Sequence, residues 1–110
     1  LSNALTLLGQ QLYGSTSVTN ANSPYTPVAT DTLLLVDTTG GAVVIDLPAA
    51  SSRNGYKLRI KDAKGDAFTN NITINRNGTD TIEGLTALTI STNYGGYDLV
   101  PVSSGWVMDP

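Results

Sequence analysis

The chain has 110 residues, with 6 Lys and Arg against 9 Asp and Glu, no His and no Cys, for a formal charge of −3. Its 40% hydrophobic content is too high for a disordered segment, and its length suits one domain with a modest core. Without Cys or His there are no disulfides, thiol nucleophiles, thiolate or imidazole metal sites, or Ser/His/Asp triad, so an enzyme, a cofactor and a metal are not expected.

Leu1, Leu5, Leu8 and Leu12 fall on a heptad seam. A helix this short is marginal alone in water, and Gly9 weakens it further, so it must borrow stability from neighbours. Two readings fit: a terminal helix packed on its own domain, or the last heptads of a coiled coil whose identical chains meet along the leucines. In the second reading the missing initiator Met marks a truncation, and residues 1–13 are the end of a stem. Residues 14–30 are small, polar and aperiodic, and Pro24 and Pro27 discourage helix, so this stretch reads as an extended linker.

Residues 31–110 read as an all-β head. Residues 32–36 and 42–47 are apolar on both alternating faces, which fits a central strand under a loop or a sandwich whose outer face packs on sister subunits. An Asn54-Gly55 turn precedes an amphipathic strand in which Lys57, Arg59 and Lys61 share the face opposite Leu58 and Ile60. That cationic face is either a solvated outer surface or an anion-facing patch. The acidic balance and the lack of interleaved aromatics speak against nucleic acid. Residues 70–84 read as a short hairpin, with Ile72 and Ile74 returning through Asn77-Gly78 into Thr81 and Ile82. Further alternating strands follow, with Pro101 expected at an edge or bulge and Trp106 expected as a core anchor. About eight short strands between Gly and Asn turns form the pattern of a sandwich or jelly roll, with no solenoid repeat.

Several segments together carry a resemblance: Val36-Asp37-Thr38-Thr39-Gly40-Gly41, Ile45-Asp46-Leu47-Pro48-Ala49-Ala50, Leu58-Arg59-Ile60-Lys61-Asp62, Asn71-Ile72-Thr73-Ile74, Asp80-Thr81-Ile82-Glu83-Gly84 and Gly105-Trp106-Val107. Over residues 31–110 the chain resembles the modules at the tips of bacteriophage fibre and needle proteins. With the leucine segment and linker before it, the whole most resembles the end of a phage tail needle with its trimeric knob. The resemblance implies a jelly roll similar to tumour-necrosis-factor folds, three copies around an axis, and an extracellular position at the distal end of a virion. It also implies a role in contacting or penetrating the host envelope during infection and genome delivery. Head fibres and receptor-binding tail fibres are similar in the same stretch.

Three functions are therefore weighed. The first is a homotrimeric structural knob, with Leu1, Leu5, Leu8, Leu12, Leu34, Val44 and Val100 at the subunit interface. The second is a module binding a host cell-surface glycan or receptor through Arg53, Lys57, Arg59, Lys61, Tyr94 and Tyr97. The third is a glycan-cleaving enzyme using Asp80 with Glu83, or Asp62 with Asp66, as acid and base. It is disfavoured because so small a domain offers little cleft and acidic residues are common in turns. The expected partners are sister copies and the host glycan or outer membrane.

Overall fold

Strands whose apolar residues alternate form two sheets that face one another, in a computed structural model that describes residues 14–109. The strands are β1 (Ser15–Thr19), β2 (Leu33–Asp37), β3 (Val43–Asp46), β4 (Leu58–Asp62), β5 (Ile72–Asn75), β6 (Thr81–Ile82), β7 (Ala87–Ile90), β8 (Gly96–Val102) and β9 (Gly105–Met108). The larger sheet has the order β1-β2-β4-β8-β9-β6 and the smaller one β3-β5-β7. Inward residues of the first, Val18, Leu34, Val36, Leu58, Ile60, Leu99 and Trp106, meet Val43, Ile45, Ile72, Ile74, Leu88 and Ile90 of the second in one buried core. The described residues are mostly β-sheet, in keeping with an all-β fold, and the leucine seam lies outside them.

The path between the sheets is the distinctive feature. β1 runs parallel to β2 and β2 parallel to β4, while β3 runs parallel to β5. Tyr25 adds a parallel bridge to Ile45, so the segment after β1 lies along the edge of the smaller sheet. The chain therefore winds in stacked coils, each laying backbone first on the larger sheet and then on the smaller. Parallel neighbours cannot be joined by a tight turn, and here every crossover runs through the opposite sheet. The later strands close the stack in antiparallel fashion, β7 on β5, β8 on β4 and β9 on β8.

Three expectations are corrected by this path. A jelly roll is built from Greek keys of antiparallel strands, whereas four of the strand pairs here, including β6 with β9, are parallel. Residues 14–30 are not a linker: β1 pairs along its length with β2, Val18 is fully buried, and the crossover after β1 is docked. β5 and β6 do not form a hairpin, because the turn at Asn77-Gly78 carries the chain from the smaller sheet to the larger, where Ile82 pairs with Trp106.

Local chemistry explains several details. Gly105 sits at φ +149, and a Cβ there would lie 2.1 Å from the Thr81 carbonyl oxygen, so only glycine lets β6 approach β9. Pro101 lies beyond the stretch of β8 that pairs with β4, where its missing N–H breaks no ladder bond on that side. Trp106 is buried in the core as expected. If β1 is part of the fold, Val18→Ala lowers stability by about 2 kcal/mol in urea melts, through lost burial and a residual cavity. An unchanged midpoint would return this segment to the role of a flexible neck.

Candidate functional site

The outer face of β4 presents the cationic row anticipated from alternation. Arg59 is exposed and Lys61 half-buried, opposite the fully buried Leu58 and Ile60, and Lys57 is exposed just before the strand. Each cation is already engaged. Lys57 Nζ pairs with Asp109, and Arg59 Nη1 donates to Asp98 Oδ1 at 2.9 Å across the β4–β8 ladder. Lys61 Nζ donates to the Tyr94 carbonyl and stands 5.9 Å from the centre of the Tyr94 ring. Pairs this exposed are screened by solvent and add little to stability, so the row is a balanced surface and not a concentrated anion trap.

Arg53, the remaining cation of the anticipated patch, is elsewhere. Only 1% of it is exposed. Its Nη1 donates to the Val28 and Ala29 carbonyls at 3.0 and 3.2 Å, and its Nη2 to the Asp31 and Lys57 carbonyls at 2.6 and 3.0 Å. The guanidinium thus clasps the loop before β2 to the loop before β4, a structural role in place of the ligand contact expected. Burial lowers its pKa, and the Asp31 charge opposes that shift.

The tyrosines separate likewise. Tyr97 pairs in register with the inward Ile60, packs against the core and donates through its hydroxyl to the Thr89 carbonyl at 3.4 Å, so it does not join the row. Tyr94 is exposed but lies over Gly65, where a Cβ would come within 2.5 Å of its ring. The sequence reading missed Tyr56. Alternation would phase it with Leu58 and Ile60, yet it precedes β4 and follows a left-handed turn at Asn54-Gly55, which leaves it 57% exposed.

The carboxylates considered for acid–base work are engaged within the fold instead, Asp62, Asp80 and Glu83 by backbone amides and Asp66 by a side-chain hydroxyl. Asp62 is fully buried and accepts from the amides of Lys64, Gly65, Ala67 and Tyr94 at 3.2, 3.1, 3.1 and 2.8 Å. Burial raises its pKa, but those four N–H groups outweigh burial and hold it below the ordinary 3.8. Asp66 accepts from Thr39 Oγ1, Asp80 from the Ala50 amide and Glu83 from the Met108 amide. Asp31 accepts from Thr16 Oγ1 and Tyr25 Oη at 2.6 Å each and from the Val28 amide at 2.9 Å. Burial works against its ionisation, yet these bonds and the Arg53 charge keep its pKa low. Burial first, then Asp31, push the Tyr25 hydroxyl up to about 12. Among the described residues no cluster of three or more acidic side chains suits a metal ion, and no helix is long and apolar enough to cross a membrane.

Of the residues assigned to a subunit interface, Leu34 points into the core and is fully buried, so it is removed from that surface. The outward residues of β2 are Leu33 and Leu35, both half-buried. Val44 and Val100 are half-buried on the outer sides of β3 and β8. Leu1, Leu5, Leu8 and Leu12 lie outside the described residues. The chain matches no protein-family model, and no curated protein is significantly similar to it.

Two outcomes test this assignment of roles. Arg53→Lys should cost on the order of 3 kcal/mol in urea melts, because one ammonium cannot replace a fork bonded to four carbonyls, while Lys57→Ala leaves the midpoint unchanged. Equal behaviour of the two variants would contradict the clasp. Asp31 and Asp62 have pKa values depressed by folding, so their stabilisation is fully present above the ordinary carboxylate range and is lost as pH falls through the folded values. Asp62→Asn should therefore flatten the acid limb of stability against pH; an unaltered acid limb would show that this carboxylate is not held ionised by its four amides.

Proposed function

We propose that this chain is a virion structural protein, the trimeric distal knob of a phage tail needle or related fibre, which contacts or penetrates the host envelope during genome delivery. The observation that carries the reading is β2, which is apolar on both faces: Leu34 and Val36 enter the core while Leu33 and Leu35 remain outside. The chain has one Phe, one Trp and one Met, so half-buried leucines placed outside the core of the described residues call for a second surface to cover them. Val44 extends the same argument to the smaller sheet.

A mechanical and adhesive role also suits the chemistry. The acidic side chains once weighed for catalysis hold loops in place, and the clasped crossovers make a stiff body. In this reading three copies meet around an axis, with residues 1–13 as the end of a coiled-coil stem, and the protein works outside the cell at the tip of the particle without a reaction of its own. The resemblance of residues 31–110 to phage tip modules supports the biological setting.

Light scattering decides the assembly. The wild-type chain should have the mass of three copies. Leu35→Asp should lower the mass while the subunit keeps its β-type circular dichroism, because an uncompensated charge would be desolvated between subunits. Val43→Asp is the contrasting case and should unfold the subunit, since Val43 is fully buried in the core. A monomeric wild type, or a Leu35→Asp variant that remains trimeric, would overturn the proposal.

A further inference from the structure

The cleft beside Tyr56 combines an exposed aromatic ring with small polar side chains. It has a volume of about 260 Å³ and is lined by Ala29, Thr30, Thr32, Ser52, Asn54 and Tyr56, with Arg53 at its floor. A neighbouring hollow of about 380 Å³ shares Thr32 and Tyr56 with it, so the tyrosine borders both. Tyr56 is 57% exposed, which leaves much of its side chain open to solvent. Tyr94 differs on this point, because Gly65 and Lys61 already occupy its surroundings.

The walls are fixed before any ligand arrives. Arg53 ties the carbonyls of Val28, Ala29 and Asp31 on one wall to that of Lys57 on the other. The Tyr56 amide donates to the Arg53 carbonyl at 3.0 Å, which holds the turn that presents the ring. A preformed cleft avoids the ordering cost that a flexible one incurs on binding.

We infer that this cleft binds an uncharged saccharide, one sugar ring lying on the Tyr56 ring and its hydroxyls meeting the Asn54 amide, the Thr30 hydroxyl and Ser52 Oγ, which can accept while it donates its own proton to the Ala49 carbonyl at 2.7 Å. An apolar ring face surrounded by small hydroxyl and amide groups matches the alternating C–H and O–H surfaces of a pyranose. The nearby cations decide against an acidic sugar. Four N–H groups of Arg53 are spent on carbonyls, its Nε is buried, and Lys57 is paired with Asp109, so no fork is left for a carboxylate. The hollow continuing past Tyr56 gives room for a second ring, so oligosaccharides bind better than monosaccharides.

This inference does not depend on trimer formation. Its test is amide NMR of the full chain titrated with neutral gluco- and galacto-oligosaccharides and, separately, with hexuronate oligosaccharides of the same length. Saturable shifts confined to residues 29–32 and 52–57 are expected with a neutral oligosaccharide, with little dependence on salt. Tyr56→Ala should weaken that binding about tenfold or more while the spectrum stays folded, and Tyr94→Ala should leave it unchanged. Absence of saturable shifts with every neutral sugar, shifts centred on Tyr94, tighter binding of the hexuronates, or undiminished binding by Tyr56→Ala would each overturn the assignment.

Discussion

Parallel strand pairing is the constraint on which the rest of this structure depends. β1, β2 and β4 lie side by side in one direction, so the chain must leave the larger sheet after each strand and return through the smaller one. Each return brings a stretch of irregular backbone whose polar groups have no ladder partner. A buried N–H or C=O left unpaired costs about 1–3 kcal/mol, more than the roughly 1 kcal/mol that a satisfied bond adds. The fold therefore needs side chains that collect backbone groups several at a time.

Two buried side chains answer that need, and a third, Asp31, ties two side-chain hydroxyls and one amide across the first crossover. Arg53 collects four carbonyls where the crossovers into β2 and β4 run side by side. Asp62 collects four amides at the end of β4, fixing the loop after it and the Tyr94 turn together. Asp31 joins Thr16 on β1 to Tyr25 and the Val28 amide in the first crossover. The groups that look most like functional chemistry in composition are thereby the framework, while the surface pairs Lys57–Asp109 and Arg59–Asp98 are solvent-screened and secondary. What the framework leaves available is shape: an outer β2 face with two half-buried leucines, and a cleft beside the exposed Tyr56 ring.

The strands themselves were largely legible in the chain. Leu58 with Ile60, Ile72 with Ile74, and Leu88 with Ile90 alternate, and all are buried where the alternation places them. Their direction of pairing was not legible, because parallel and antiparallel neighbours require the same alternation. β1 was hidden by having one apolar residue, Val18, among Ser and Thr, although β-branched Thr and Val suit a strand. Leu34 was misplaced because β2 is apolar on both faces, so hydrophobicity carried no phase. The Arg53 clasp left no mark in the sequence, since its partners are main-chain carbonyls that any residue could supply. Tyr56 required knowing that the turn at Asn54-Gly55 ends before the strand begins.

The most direct test of this account is the direction of strand pairing in solution, read from inter-strand nuclear Overhauser effects between backbone protons. In the coiled path, contacts from β1 to β2 advance together along both strands, Thr16 near Leu34 and then Val18 near Val36, and those from β3 to β5 do the same, Val43 near Ile72 and then Ile45 near Ile74. Contacts that advance along one strand while retreating along the other, or no contacts from β1 at all, would contradict the stacked-coil architecture and with it the roles assigned to Arg53, Asp31 and Asp62.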